Sequence, residues 1–596
     1  MNPVHIHVDA SSEIGPMERI WRSFGYDEIN WTYTPKGRAV FDAIAGLRDG
    51  PYWIRNHNAF TSGNRLSWDY WASTNCYTED SHHKPSYDWS VNDRIYDVYL
   101  SHNCKPMIEL DFMPHDLSSH RELGPRESWR FPPRDHERWR ELNARFAQHL
   151  IDRYGSNEVR QWYFSPWNEP DIDYFKIDPA DDPRTENRDQ LGRRCAEYCK
   201  LYDYAVAGLL DADDALRIGG PDLAFRTDFR ELFLRHCHEG TNFVTGSAGS
   251  RLDFISLHSK ATGNTGGHVP NPDFDRTARR DLLRYFEVME RFPRFKALPL
   301  IGNEWDIDVG TPYGIYDSSD FAYRNTSYYP TYVIRSVKEI LDLKRDKHIN
   351  VELITQWAFY FEGKRCFEGT RALFDPTGIR KPVFNAFEML SRMGSARIAA
   401  ISDDKECDVE PGEKAGRENR AFRPRTPADA ATASLWDMIE PHRQVDALAS
   451  REGDEIRVLV WNQKYDQYAT GERSVELEVS RLEGWAQAIV AHYRIDDRHS
   501  NAHTLWKAAG CPDWPSAALV AALREREALE KAAVDRQETV NEGRVSVRFS
   551  LPVHGVSMFI VALARRARDP AGVSRGDVPT RKSQAPALRI PERSMR

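Results

Sequence analysis

Short apolar runs alternate with longer amphipathic stretches over the first two thirds of the chain. Seven runs are typical of β-strands, at residues 51–56, 105–112, 159–167, 216–221, 252–258, 298–302 and 351–360, and the early run "WRSFGY" adds an eighth. Between them apolar positions recur at helical spacing, as in "HERWRELNARFAQHLIDRYG", where Trp139, Leu142, Phe146 and Leu150 form one stripe. Strands that alternate with helices predict βαβ units around a parallel sheet. Eight such units predict an α/β fold, a (β/α)8 TIM barrel over residues 15–394. A doubly wound open sheet is the alternative, but no glycine-rich phosphate-binding fingerprint follows the first strand.

The pattern changes after residue 394. The polar stretch 402–430 predicts a solvated insertion. Five later runs have the alternation of antiparallel strands, at residues 455–463, 474–480, 488–495, 544–551 and 556–564, and a helix is predicted over 515–533. Residues 395–565 are therefore expected to form an accessory, β-sandwich-like antiparallel domain, which the N-terminal strand 3–10 could join. The Arg-, Pro- and Ser-rich residues 566–596 predict a flexible tail.

Composition and charge narrow the functional classes. The 596 residues carry a net charge of -9, which argues against a nucleic-acid partner because phosphate binding needs a basic surface. No apolar run is long enough to span a membrane, and the N-terminus lacks a signal-peptide pattern, so we expect a cytoplasmic protein without a membrane partner. The eight cysteines show no disulfide spacing and are expected to be reduced. His236 and His238 are too few and too close for a metal site, and a helix surface is the preferred interpretation.

Two glutamates end predicted barrel strands. Glu169 follows the fourth strand in "WYFSPWNEPDIDYF", and Glu304 follows the seventh in "LPLIGNEWDID". Catalytic groups of such barrels lie at the C-terminal ends of strands, and strands four and seven face each other across the mouth. Each glutamate alone could equally cap the next helix. Two opposed carboxylates, each directly after an asparagine, favour glycoside hydrolysis, which needs an acid on one side of the sugar and a base or nucleophile on the other.

With these elements the chain resembles glycoside hydrolase family 39, the family of β-xylosidases and α-L-iduronidase, over roughly residues 20–565. The landmarks are "IRNH" (54–57), "KPMIELDFMP" (105–114), "PWNEPDIDYF" (166–175), "LDFISLHSK" (252–260), "NEWD" (303–306), "TQWAFYFEG" (355–363) and "GIRKPVFNAFEMLSRMG" (378–394). The "WNEP" element recurs across a clan of barrel hydrolases, whereas the ordered set is far more specific.

The resemblance implies a retaining mechanism with Glu169 as the acid/base and Glu304 as the nucleophile, and it requires no metal or organic cofactor. It also implies substrate-binding roles for His57 and His258, for Asn168 at the sugar 2-hydroxyl, for Trp357 as an apolar platform and for Glu362 at distal hydroxyls. Each of these residues has a purely structural alternative, such as a buried histidine with satisfied hydrogen bonds or a tryptophan that fills the barrel. The expected partner is an oligosaccharide or a small glycoside, and the oligomeric state stays open.

Two substrate classes compete within the resemblance. Lys260 stands where α-L-iduronidases use a lysine against the substrate carboxylate, and a cation there suits a uronate. Glu368 stands near the expected position of a second carboxylate-binding arginine, where an acid would repel a uronate. Arg365 or Arg371 could take the place of that arginine. The segments "DFMP" and "QWAFYFEG" resemble the β-xylosidase branch more closely. We therefore expect a retaining exo-glycosidase of the β-D-xylosidase type, with uronide hydrolysis as the alternative and a non-catalytic carbohydrate-binding barrel as a further one.

Overall fold

Eight parallel strands close into a barrel, which confirms the predicted (β/α)8 fold. The computed structural model describes residues 2–63, 72–260, 282, 284–307, 314–357, 359, 363, 365–406, 443–464 and 466–565. The first to eighth barrel strands are β2 (Ser23–Tyr26), β3 (Tyr52–Asn56), β6 (Cys104–Leu110), β7 (Tyr163–Pro166), β8 (Arg217–Leu223), β9 (Phe254–Lys260), β10 (Leu300–Asp306) and β11 (Val351–Trp357). A small hairpin, β4 (Tyr77–Glu79) and β5 (Pro85–Tyr87), follows the second barrel strand.

Amphipathic helices surround the barrel. They are α1 (Pro35–Ala45), α2 (Ser90–Ser101), α3 (His136–Tyr154), α4 (Arg188–Ala212), α5 (Thr227–Glu239), α6 (Tyr328–Lys347) and α7 (Pro382–Ser391), and residues 284–290 are also helical. Helix α3 begins where the Asp135 side chain accepts the N–H groups of Glu137 and Arg138, and it ends at Gly155. The predicted stripe on α3 is buried, as an amphipathic helix packed on a sheet requires. Among the described helices, none has the length and hydropathy needed to cross a bilayer.

The barrel interior changes from apolar to charged along the strands. Near the N-terminal ends a cluster fills the centre, formed by Met107, Tyr163, Phe254, Ile301 and Leu353, with Trp53 packed against it. Side chains two or four residues further along a strand point to the same side. These later positions are charged or polar: Arg55 after Trp53, Glu109 after Met107, and His258 after Phe254. The closed apolar end therefore supports a polar layer at the C-terminal mouth.

The accessory domain is a nine-stranded sheet. In spatial order its strands are β17 (Glu530–Thr539), β16 (Trp485–Ile495), β19 (Gly555–Arg565), β14 (Glu455–Asn462), β13 (Val445–Glu452), β12 (Ala396–Ser402), β1 (Val4–Pro16), β15 (Glu472–Ser480) and β18 (Val545–Pro552). Strands β1 and β15 are parallel and the other pairs are antiparallel, and β18 returns to contact β14 and β19. One face buries a Val- and Ile-rich cluster, which supplies this domain with its own core.

The helix predicted over 515–533 is shorter in the structure. Two helices, α8 (Ala502–Ala508) and α9 (Ala517–Arg526), lie between β16 and β17. Residues 530–533 belong instead to β17, which pairs antiparallel with β16. Ala, Glu and Lys favour a helix locally, but pairing with an existing sheet edge overrides that propensity. Most of the insertion at 402–430 and all of the tail at 566–596 lie outside the described residues.

Candidate active site

The floor of the site is Arg55, a fully buried arginine on the second barrel strand. Its Nη1 donates to Oε1 of Glu304 at 2.8 Å, and its Nη2 donates to Oδ1 of Asn168 at 2.9 Å. The guanidinium also pairs with Glu109, which is likewise fully buried. A buried guanidinium stays charged and needs such partners. Arg55 thus holds both a strand-seven glutamate and the asparagine that precedes Glu169.

His57 lies two residues after Arg55, directly after the second barrel strand, and is surrounded by carboxyl groups. Its Nε2 is 3.1 Å from Oδ1 of Asp27 and 3.4 Å from Oε1 of Glu304. Its Nδ1 faces Glu109 and Asp111. Burial alone would lower the pKa of His57, but the charge of Glu109 and the hydrogen bonds with Asp111 and Asp27 raise that pKa well above its usual value. The raised pKa favours the imidazolium form of His57, which with Arg55 places two cationic groups beside one oxygen of Glu304.

Glu304 owes its orientation to an irregularity in the seventh strand. The register with the sixth strand shifts between Gly302 and Glu304, so that Glu304 comes to lie opposite His258. A bulge of this kind redirects the following side chain. Only 6 % of the Glu304 side chain is exposed.

Glu169 occupies a strained loop after the fourth strand. Its backbone φ angle is 45°, in the left-handed region that residues other than glycine rarely adopt. Its N–H donates to the carbonyl of Asp222 at 2.9 Å. Two residues later, the buried carboxylate of Asp171 accepts the N–H groups of Ala224, Phe225 and Arg226 at 2.8–2.9 Å. The loop after the fifth strand thereby fixes the Glu169 loop.

His258 joins the two glutamates. Arg55 Nη2 lies 3.1 Å from His258 Nε2, and since a guanidinium can only donate, Nε2 accepts. The proton then lies on Nδ1, which donates to Oε1 of Glu169 at 2.8 Å. One carboxylate oxygen from each glutamate and a nitrogen of His258 all lie within 4.8 Å of one another. The two acids therefore face one small space.

Trp357, at the end of the eighth strand, forms a wall of that space. Its Nε1 donates to Oδ2 of Asp27 at 3.1 Å, and its ring centroid is 4.8 Å from that of His57. The indole packs directly on the first strand, where a Cβ atom on Gly25 would lie 2.1 Å from it. The ring is buried, so its predicted role under a sugar stays a prediction.

The structure brings together six predicted residues: His57, Asn168, Glu169, His258, Glu304 and Trp357. Lys260 ends the sixth strand, but its side chain lies outside the described part, as does Glu362 entirely. Arg371 is buried. Burial of Asp27 alone would raise the pKa of its carboxyl, but the hydrogen bond and charge of His57, and to a smaller extent the charge of Arg371, lower it. Arg365 lies further out, with Nε 3.6 Å from Asp513 of the accessory domain.

Arg55, Glu109, Asp111, Asp222 and Asp171 were not predicted. A signal was present for two of them, because Arg55 and Glu109 are charges inside otherwise apolar parallel strands, which are normally apolar throughout. Asp111 and Asp171 have no such signal, since acids are common in loops that follow strands, and Asp222, although inside the fifth strand, follows a Gly-Pro pair that predicts a turn.

Among the residues that the structure describes, two sets of three side chains could hold a cation by distance: His57, Glu109 and Asp111, and Glu169, His258 and Glu304. Arg55 is in contact with both sets, and His57 in the first set is itself positive. The donor atoms of these sets thus already have charged partners. His236, by contrast, lies on α5 with Nε2 3.0 Å from the buried Asp203, apart from the barrel mouth.

Comparison with known proteins agrees with this geometry. The chain is 25% identical over 478 residues to a "Beta-xylosidase" of Caldicellulosiruptor saccharolyticus, covering 78% of this chain and 81% of the relative. It is 28% identical over 322 residues to the "Alpha-L-iduronidase" of Homo sapiens, covering 52% of this chain and 42% of that relative. The crystal structure of a monomeric beta-xylosidase from Caulobacter crescentus CB15 superimposes with a TM-score of 0.69 at 21% identity, covering 94% of this chain and 99% of that one, which shows a common fold. The model of the glycosyl hydrolases family 39 matches residues 4–546. The chain therefore belongs to glycosyl hydrolase family 39 and is a glycoside hydrolase.

Proposed function

We propose that this protein is a retaining exo-glycosidase that cleaves equatorial glycosides by double displacement, with β-D-xylosides as the leading substrates. The observation that carries the proposal is the unequal distribution of positive charge around two neighbouring carboxylates. Oε1 of Glu304 lies 2.8 Å from Arg55 and 3.4 Å from the imidazolium of His57, whereas Oε1 of Glu169 accepts from His258. Because cations favour the ionised form, Glu304 is the group that stays a carboxylate.

The separation of the two acids supports retention. Their nearest oxygens lie within 4.8 Å. Retaining glycosidases have carboxyl groups about 5–5.5 Å apart, whereas inverting enzymes need about 6.5–9.5 Å to admit a water molecule. In the first step Glu169 gives its proton to the glycosidic oxygen while Glu304 attacks the anomeric carbon. In the second step Glu169 takes a proton from water, and the resulting hydroxide releases the sugar from Glu304.

Asn168 is oriented for the sugar 2-hydroxyl. Its Oδ1 accepts from Arg55, so its amide N–H groups are the donors that can face the substrate. Glu169 is the more open of the two acids, with 14 % of its side chain exposed against 6 % for Glu304. That difference suits a group that must exchange protons with the leaving alcohol and then with water.

The sugar class is supported by similarity. The β-xylosidase relative covers 78% of the chain, and the α-L-iduronidase relative covers 52%. One structural feature favours the uronide alternative: Arg371 is buried and close enough to Asp27 to influence its pKa, and a buried guanidinium near the pocket suits a carboxylate.

The test is a panel of 4-nitrophenyl β-D-xyloside, 4-methylumbelliferyl α-L-iduronide and other aryl glycosides, with NMR detection of the first anomer formed. We expect xyloside turnover with retained configuration, and a first product of inverted configuration would contradict the mechanism. An Arg371→Met variant should lose iduronide activity more than xyloside activity if the uronide alternative holds. Sugar binding without any turnover across the panel would favour the non-catalytic alternative.

Two variants test the roles of the glutamates. Glu304→Ala should lose turnover of every glycoside, because no group remains to attack the anomeric carbon. Glu169→Ala should keep the first step on 2,4-dinitrophenyl glycosides, seen as a burst of 2,4-dinitrophenol, because that leaving group needs no acid. The second step, which needs Glu169 as the base, should slow, and alkyl glycosides should not react. The opposite pattern would exchange the two roles, and circular dichroism of both variants checks that the fold is intact.

A further inference from the structure

The helix pair α8–α9 of the accessory domain forms part of the barrel mouth. It shares a small buried core with the loop after the eighth barrel strand, made of Cys366, Phe367, Ile379, Ala502, Trp506 and Leu523. The Asn385 side chain on α7 also donates to the carbonyls of Ser500 and Glu527, each at 3.0 Å. The connection between α8 and α9 is therefore held against the C-terminal face of the barrel.

That connection presents an exposed tryptophan on a fixed backbone. Trp514 is 73% exposed and is flanked by Pro512 and Pro515. The two residues before Trp514 are fixed: the Trp506 indole N–H donates to the Pro512 carbonyl at 3.0 Å, and the Cys366 N–H donates to the Asp513 carbonyl at 2.9 Å. Little conformational freedom remains to be lost by this segment when a ligand binds to the indole.

Trp514 follows Asp513, which contacts Tyr316 and Arg365 of the barrel loops, and we name these four residues, Tyr316, Arg365, Asp513 and Trp514, the rim patch. The Tyr316 hydroxyl donates to the Asp513 carboxylate, and Arg365 lies 4.1 Å above the Tyr316 ring centroid. Tyr316 is 46% exposed. Exposed aromatic faces beside a carboxylate and a guanidinium match a sugar, which offers an apolar C–H face surrounded by hydroxyl groups.

The rim patch is continuous with the loops of the pocket. Tyr316 lies in the connection after the strand of Glu304, and Arg365 lies in the connection after the strand of Trp357. These two connections pack together, since the Ile315 N–H donates to the Glu368 carbonyl at 2.9 Å. The second connection also contains Arg371, which influences Asp27 inside the pocket.

We propose that the rim patch binds a second sugar unit of a β-xylo-oligosaccharide whose terminal sugar occupies the pocket, with Trp514 stacking on that unit. The inference rests on the proposed function. The test compares β-D-xylosyl fluoride, which has no second ring, with xylotriose. Trp514→Ala should lower kcat/KM for xylotriose about tenfold, the equivalent of about 1.4 kcal/mol of stacking, and change kcat/KM for the fluoride less than about twofold.

Matched variants separate stacking from other effects. Trp514→Phe should keep most of the xylotriose activity, because it keeps an aromatic face. Val534→Ala removes a side chain that is 87% exposed on β17 of the same domain, and it should leave kcat/KM unchanged for both substrates. Equal losses on both substrates, or no loss on xylotriose, would overturn the inference.

Two further outcomes are decisive. If neither substrate is turned over, the proposed function fails, and calorimetric titration of xylotriose and of xylose into the native and Trp514→Ala proteins still tests the rim patch. Tighter binding of xylotriose than of xylose that depends on Trp514 would support it, and unchanged binding would refute it. A change of particle mass in sedimentation of Trp514→Ala, with unchanged xylotriose kinetics, would show a subunit contact instead.

Discussion

Replacing Glu109 by glutamine removes a buried carboxyl group from between Arg55 and His57 while keeping the shape of the side chain. Burial raises the pKa of this carboxyl well above its usual range, and the charges of Arg55 and His57 oppose that rise. Glu109 is fully buried and pairs with Arg55, and it faces Nδ1 of His57. It does not face the space between Glu169 and Glu304, so we expect it to act through its two cationic neighbours. The variant therefore tests whether a positioning residue beneath the pocket sets the charge of the pocket.

The expected size follows from electrostatics. Two unit charges about 4 Å apart interact by about 4 kcal/mol at an effective dielectric constant of about 20, which corresponds to about three pKa units. Asp27 and Asp111 remain, with oxygens 3.1 Å and 3.6 Å from the His57 nitrogens, and retain part of the effect. We therefore expect the pKa of His57 to be lower in Glu109→Gln than in the native protein, because the largest contribution that raises it is lost.

The direction in which stability changes with pH follows from the raised pKa of His57. The pKa of His57 is raised by folding, so its charge stabilises the fold below the unfolded-state pKa of about 6.5, and that stabilisation is lost as the pH rises through the higher folded-state value. In Glu109→Gln this loss should occur at lower pH. In the proposed mechanism the basic limb of kcat/KM is set by loss of the proton from Glu169, and removing a nearby negative charge makes that loss easier, so this limb should shift to lower pH while activity on its acid side changes little.

The assay is the pH profile of kcat/KM for 4-nitrophenyl β-D-xyloside, together with the melting temperature at each pH. Glu158→Gln is the matched control, because Glu158 pairs with Lys105 of the same barrel strand at 2.8 Å on the outside of the barrel, where an ion pair contributes about 0–1 kcal/mol. A lowered melting temperature with an unmoved basic limb would refute the reasoning, since Glu109 would then act on stability alone.

Two further substitutions probe the loops and walls of the site. Asp171→Asn keeps one acceptor oxygen for the three backbone N–H groups that the carboxylate binds, so unfolding free energy should fall by about 1–3 kcal/mol, and kcat/KM should fall more on alkyl than on 2,4-dinitrophenyl glycosides because the Glu169 loop loosens. Equal losses on both substrates would contradict that role. Gly25→Ala places a methyl group 2.1 Å from Trp357 and should abolish most activity on all substrates, whereas Gly192→Ala, with no atom within 4 Å of the new methyl on helix α4, should leave kcat/KM unchanged and raise the melting temperature.

Hydrophobic patterning predicted the barrel well where an apolar run had clear ends. The second and third barrel strands were predicted within two residues of their observed limits. The fourth strand was predicted to begin at residue 159, but Ser156–Val159 form a helical turn after Gly155, and the strand begins at Tyr163. Strand β13 was missed because Val445 is the one β-branched residue among its eight, so the strand lacks the usual composition signal.

The candidate site was predictable in part for a similar reason. Strand ends identify which residues reach the mouth, and this places both glutamates and both histidines. Contacts between strands that are distant in sequence, such as that of Arg55 with Glu304 across 249 residues, produce no periodic pattern in the sequence. The bulge that aligns Glu304 with His258 also depends on the pairing of two strands and not on either alone.

The division of roles between two identical side chains follows from the polar layer beneath them. That layer contains more carboxylates than cations: Asp27, Glu109, Asp222 and Glu304 surround Arg55 and the imidazolium of His57. Two carboxylates that share one space cannot both ionise freely, so the one with cations beside it keeps its charge and the other holds a proton more readily. Arg55 and His57 both lie beside Oε1 of Glu304, so in the proposed mechanism the second barrel strand supplies the groups that keep Glu304 ionised as the nucleophile.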